Sequence, residues 1–371
     1  ATFQPEDRAR AIGAWSGFGG LATAIGPLAG GYLVDAVSWR VIFLLNLPVA
    51  VATAIVAVRH VPETTDVTVD THIDVVGGGL GAIGLAGVTF GLIEATNRGF
   101  GDPGVVAAAI LGLMALGAFV VAEARGRRPM LPLGIFSSRQ FSGANLVTFA
   151  VYAALGGVFF LLVVFLQTVL GYSPLSAGAA MLPVTLLMLG LSARAGALAQ
   201  RIGPRLPMTV GPLVVAGGVF AMSRLGAGDR YLTAGLPAVF VFGAGLTLTV
   251  APLTATVLAA ADVRHAGVAS GINNAVARVA GLLAVAILPL AAGLGGNDFR
   301  DPVAFTHGFH AAATIGACLA AAGGVLAWLT IRNAEPVTAP SAVPHRPHTH
   351  CALDAPPLRP APDRVGSGQV A

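Results

Sequence analysis

The sequence predicts an all-α polytopic membrane protein, and three observations carry that prediction. Hydrophobic residues make up 55% of the 371 positions and charged residues only 10%, whereas a water-facing domain typically carries about 25% charge because its surface must be hydrated. The apolar residues come in blocks of about 20, the length a helix needs to cross a hydrocarbon core of roughly 30 Å. The blocks run continuously, without the period-two alternation of barrel strands, so the backbone must satisfy its hydrogen bonds within helices.

Ten spans follow along the chain, over approximately residues 11–33, 41–58, 75–95, 105–124, 141–169, 177–198, 207–222, 234–259, 266–292 and 309–330. In the first, Gly13, Gly17, Gly20, Ala24, Pro27 and Gly31 recur at spacings of three and four, which puts them on one helical stripe. A stripe of small residues lets another helix approach backbone to backbone. It suits ordinary tight packing as well as a helix that moves between two arrangements. Pro27 lacks an N–H and clashes with the carbonyl of Thr23, which predicts a bend there; Pro183 and Pro252 predict two more. The seventh span is short and rich in glycine. Loops carry the expected breakers, Asp102-Pro103-Gly104, Ser173-Pro174 and Asp301-Pro302.

Arginine placement sets the expected orientation. With the N-terminus in the cytoplasm, inner segments hold Arg8, Arg10, Arg59, Arg125, Arg127, Arg128, Arg139, Arg201, Arg205, Arg264 and Arg332. Outer loops then hold only Arg40, Arg98, Arg224, Arg230 and Arg300, so both ends of the chain are expected to be cytoplasmic. All 21 basic residues are Arg, a usage that fits a GC-rich coding sequence. They are spread over loops and tail, so no nucleic-acid partner is expected. Cys318 and Cys351 are too few and too far apart for a disulfide framework or a zinc site. From about Asn333 the chain is rich in Pro and Ala and reads as a disordered tail. His345, His348, His350 and Cys351 lie there without a rigid frame, and no metal site is assigned to them. Ala1 is preceded by no Met and followed by no signal peptide, so the start is expected to be a cut.

Gly13, Ala22, Gly26-Pro27 and Gly30-Gly31 together resemble the antiporter motif of the fifth helix in drug exporters of the major facilitator superfamily, with Ala22 where that family usually has Gly. The segment Ser38-Trp39-Arg40 through Asn46-Leu47-Pro48 resembles the join to the sixth helix in the fourteen-helix EmrB/QacA branch. Pro5-Glu6-Asp7-Arg8 is similar to that branch's preceding loop, Asp74 with Gly77 to its seventh-helix entry, and Glu94 to the exit. Gln167 through Gly178, with Leu182-Pro183, resembles the ninth-to-tenth junction. Gly196, Arg201, Gly203 and Arg205 resemble the C-terminal echo of the superfamily's cytoplasmic loop motif, with Gln200 in place of an Asp. Ala266-Gly267 through Asn273-Asn274, Arg278 and Gly281 resembles the thirteenth helix. Each match is weak alone; in this order they are specific together.

The resemblance implies helices five to fourteen of such an exporter. Residues 1–60 would end the N-terminal bundle, 61–139 would hold two central helices, 140–332 the C-terminal six-helix bundle, and 333–371 the tail. It implies an alternating-access antiporter of the cell (inner) membrane that exports small amphiphilic organic compounds against protons. The partners would be the bilayer and the missing N-terminal helices of the same protein. No cofactor is implied; the proton gradient would supply the energy. The helices expected to face a central cavity carry Asn145, Tyr152, Gln167, Met181, Thr247, Thr249, Asn273 and Asn274, each of which could equally serve as helix–helix glue.

Charge placement bears on coupling. Asp35, Glu94 and Glu123 stand at span ends and every other carboxylate lies in a loop or tail, so no proton-coupling residue can be assigned. Arg278 is the exceptional cation, deep in its span, where a lone charge costs at least about 2.5–3.5 kcal/mol. It either lines a cavity or bonds to neighbouring carbonyls. Two other readings stay open at this point: a transport-inactive remnant of an exporter, and an intramembrane enzyme with Ser270 as nucleophile, which would need a base at the same depth.

Overall fold

The computed structural model describes residues 25, 26, 28–60, 74–126, 129–260 and 266–333. Most of the first expected span, including Gly13, Ala22 and Pro27, lies outside them, as does the tail with its histidines. Residues 28–36 are helical and lead into α1 (Trp39–His60). Then come α2 (Val75–Arg98), α3 (Pro103–Arg125), α4 (Arg139–Thr168), the short α5 (Pro174–Ala179) and α6 (Leu182–Ile202). The remaining helices are α7 (Arg205–Met222), α8 (Leu236–Ala259), α9 (Ala266–Ala291) and α10 (Pro302–Thr330). No strand occurs among the described residues, and nine of their helical segments are long and apolar enough to cross a membrane.

The Pro-containing loop signals are helix starts. Asp102 and Asp301 each turn a carboxylate onto the first free N–H groups of α3 and α10, and Ser173 does so with its hydroxyl for α5. In all three the next residue is Pro, whose missing N–H costs nothing in the first turn. This corrects one boundary: α10 begins at Pro302, seven residues ahead of the expected 309, because Asp301 caps it. A second correction concerns residues 177–198. The chain breaks at Ala180-Met181 between α5 and α6, with Pro183 in the first turn of α6 where it bends nothing. Pro252 does lie inside its helix.

Six helices form one packed bundle. α4 lies against α9 and α10, α7 against α8 and α10, and α6 against α8. Its core holds large side chains such as Phe165 stacked on Phe309 at 4.5 Å and Phe242 edge-on to Phe159 at 5.2 Å. Helices α2 and α3 pack on each other, and α2 touches α9. Small residues set these distances. A Cβ on Gly112 of α3 would lie 2.5 Å from the Val88 nitrogen of α2, so only a hydrogen fits there. No residue of α1 is buried.

Candidate functional site

The site follows from the face that α9 presents. Its residues Ser270, Asn273, Asn274, Ala277, Arg278, Gly281, Leu282 and Val285 recur at spacings of three and four, so they share one side of the helix. The other side carries Ala269, Ala280, Ala284 and Leu288, which are buried in the bundle. The open side of α9, with Tyr152, Leu155 and Phe159 of α4 and Thr254, Val257 and Leu258 of α8, encloses a cavity of about 800 Å³.

The α4–α9 wall is held by a close approach and a polar clamp. A Cβ on Gly156 would stand 2.7 Å from the Gly281 Cα, so the two backbones touch at this level. Asn273 donates both amide hydrogens across the helix pair, to Thr148 Oγ1 at 2.7 Å and Asn145 Oδ1 at 3.3 Å. Asn145 in turn donates to the Phe141 carbonyl within its own helix. Asn274 donates to the Ser270 carbonyl at 3.0 Å. Arg278 stands twelve residues beyond Ala266, about 18 Å along the helix at 1.5 Å per residue. Its side chain is exposed to the cavity.

Of the expected cavity residues, Tyr152, Asn273, Asn274 and Arg278 line this space, and Asn145 is buried behind Asn273. Four others are elsewhere. Gln167 is exposed at the end of α4. Met181 is buried at the α5–α6 break, where it joins the bundle core. Thr247 and Thr249 are buried in α8 and return their hydroxyls to the Gly243 and Gly245 carbonyls, which ends their availability to a ligand. Thr249 faces Gly211 of α7, whereas Thr247 is seven residues before Thr254, on the same side of α8 but about two turns along the axis from the residues that face the cavity. Gly156 and Thr254 were not expected at the site, although the position of Gly156 four residues past Tyr152 on α4 is a usable signal.

The two glycine-bearing motifs lie away from the cavity. Gly31 is buried, and a Cβ there would meet the Leu175 Cα at 2.7 Å; Asp35 one turn on accepts the Leu175 N–H at 3.0 Å. Gly26 and Gly30 face open space. At the α6–α7 junction Gly203 has φ +85°, a conformation L side chains avoid. Beside it the Arg205 N–H donates to Asn333 Oδ1, and the guanidinium lies 4.0 Å over the Trp328 ring while donating to the Trp328 carbonyl. Gly196 and Arg201 precede this junction on α6, the former half-buried and the latter exposed. Gln140 exchanges two hydrogen bonds with the Arg332 backbone, tying the ends of α4 and α10 together. A smaller apolar crevice of about 250 Å³ lies between α2 and α3 and offers no polar group. Glu123 is buried at the other end of this helix pair, beside Gly77, and accepts the Leu131 N–H at 2.8 Å.

Comparison with known proteins settles the family. The Major Facilitator Superfamily model matches residues 1–285. The chain belongs to the major facilitator superfamily. It is 34% identical over 305 residues to the Tetracenomycin C resistance and export protein of Streptomyces glaucescens, covering 81% of this chain and 56% of that relative. It is 32% identical over 360 residues to the Puromycin resistance protein pur8 of Streptomyces alboniger, covering 93% and 71%. The Multidrug resistance protein Stp of Mycobacterium tuberculosis is 28% identical over 285 residues, covering 77% and 52%. The chain thus spans about half the length of the first and third of these relatives. Members of the major facilitator superfamily are transporters, and the named relatives are export and resistance proteins rather than enzymes.

Proposed function

We propose that this protein exports small amphiphilic organic compounds by alternating access, coupled to proton entry, and that the cavity among α4, α8 and α9 is where cargo binds. The observation that carries the reading is the character of that cavity. It is large enough for a drug-sized molecule, walled by Leu155, Phe159, Val257, Leu258 and Leu282, and holds a few polar groups on one side. Concave apolar sites with a small number of placed polar groups bind such molecules. The close relation to proteins named for antibiotic resistance and export supports the direction of transport.

In the same reading the chain belongs to the fourteen-helix branch and supplies its helices five to fourteen. The division into segments 1–60, 61–139, 140–332 and 333–371 follows, with both ends in the cytoplasm and the span in the cell membrane. Gly31 and Asp35 would meet the start of α5 on the outer side. Arg201 and Arg205 would then lie on the cytoplasmic side, consistent with the excess of Arg expected there. The test is reconstitution into liposomes with an imposed pH gradient and a fluorescent amphiphile. Gradient-driven accumulation that a protonophore abolishes is the expected result. Gradient-independent leakage, or none at all, would leave the chain a transport-inactive relative.

A further inference from the structure

The charge class of the cargo can be read from Arg278. We infer that the cavity selects anionic amphiphiles, with the Arg278 guanidinium pairing a carboxylate, sulfonate or enolate of the ligand; this rests on the cargo-site reading above.

Three observations converge. Arg278 is the one charged residue among the described residues of the lining, and it lies near the middle of a membrane-spanning helix, where an unpaired cation is costly. Among the described residues no carboxylate lines the cavity to neutralise it. Every described carboxylate already serves a backbone N–H or, for Glu94, the Arg98 guanidinium, and all stand at helix ends or in loops. The third observation concerns donors. Asn273 spends both amide hydrogens on α4, Asn274 turns one of its two to the Ser270 carbonyl, and Thr254 turns its hydroxyl to the Val250 carbonyl. The guanidinium makes no hydrogen bond to any described residue, so its five N–H groups are the largest set of free donors in the lining, beside the Tyr152 hydroxyl and the second Asn274 amide hydrogen. A planar fork of that kind matches two acceptor oxygens on one ligand group, and pairing through it adds both charge and orientation.

The remaining walls specify the rest of the ligand. Phe159 and Tyr152 supply aromatic surface, while Leu155, Val257 and Leu282 are aliphatic, so the head group is anionic and the body apolar. A cationic amphiphile of the same shape would place like charge against Arg278 in a site of low dielectric, which disfavours it.

The test compares two dyes on one xanthene scaffold, fluorescein as the anion and a rhodamine ester as the cation, bound to the full chain in lipid nanodiscs. Wild type is expected to bind fluorescein at least about tenfold more tightly, the factor that about 1.4 kcal/mol of charge-assisted pairing produces. R278Q should erase the preference, and R278K should keep most of it, since the charge survives without the fork. Equal binding of both dyes by wild type, or a preference that persists in R278Q, overturns the inference while leaving the cargo site intact. If neither dye binds, the cargo-site reading falls and this inference with it. The wild-type preference alone decides the charge class should R278Q fail to accumulate.

Discussion

Helices α1 and α4 are both long and strongly apolar, yet α1 buries no residue and α4 buries sixteen of its thirty. Hydropathy does not explain the difference, because lipid tails are as apolar as leucine and give helices no reason to associate. Partners do: no described helix packs extensively on α1, although it carries Ala50, Ala52, Ala54 and Ala57. α4 carries Gly143, Ala144, Ala150, Ala153, Ala154, Gly156 and Gly157, a run of small residues against which α9 and α10 close. The two helices also differ in how they treat an asparagine. Asn46 of α1 returns its amide to the Ile42 carbonyl one turn back, whereas Asn145 of α4 accepts a bond from α9. Insertion is thus dictated by apolarity, and assembly by small residues and crossed hydrogen bonds.

The largest expected effect attacks the packing term. Gly156→Leu would drive a side chain into the Gly281 backbone, and neither partner is a flexible side-chain end that can swing aside. A loss of about 3 kcal/mol, at the upper end of the overpacking range, is expected in the midpoint of SDS-induced unfolding. An unchanged midpoint would mean that α4 and α9 are not in contact at this level. The same substitution should close the cavity from the Tyr152 side, so dye binding should be lost along with stability.

How much of this was readable in advance follows from the same distinction. The spans were legible because apolar runs of membrane-crossing length are a property of composition and order, and the helix starts were signalled by Asp-Pro and Ser-Pro even though those pairs read first as loop breakers. Arg278 stood out for its depth. The cavity wall was harder. Thr247, Thr249 and Met181 are as polar or adaptable as Thr254 and Asn274, and what separates them is where along and around their helices neighbours bury them. That depends on tertiary pairing of α8 with α6 and α7, which no local pattern encodes. Gly31 shows the converse: the small-residue stripe was visible, and Gly31, its one described member, makes the backbone approach, while Gly26 and Gly30, which lie off the stripe, face open space.

A middle-sized effect tests the crossed hydrogen bonds. Asn273→Leu removes the donors to Thr148 and Asn145 and leaves Asn145 Oδ1 buried without that partner. Polar contacts between membrane helices are worth about 0.6 kcal/mol on average and up to about 1.7, so a loss of about 1 kcal/mol is expected. Asn145→Leu should cost a similar amount, and the double variant less than the sum, because both act on one bond. Fully additive losses would show that the pair does not couple α4 to α9.

The smallest effect is the most informative about α1. Asn46→Leu removes an exposed amide whose only described bond is to its own helix, so no contact with another helix is lost. Surface substitutions of this kind usually stay within about 0.5 kcal/mol, and relieving lipid of a polar group pushes the sign toward stabilisation. The substitution should therefore leave the unfolding midpoint where it was. A cost near that of Asn273→Leu would instead mean that Asn46 crosses to another helix in the membrane, which would make α1 a packed helix like α4 and erase the contrast between them. Because Leu at this position adds apolar surface without removing a small residue, it cannot lower stability by obstructing a close approach. Any loss would have to come from the amide itself.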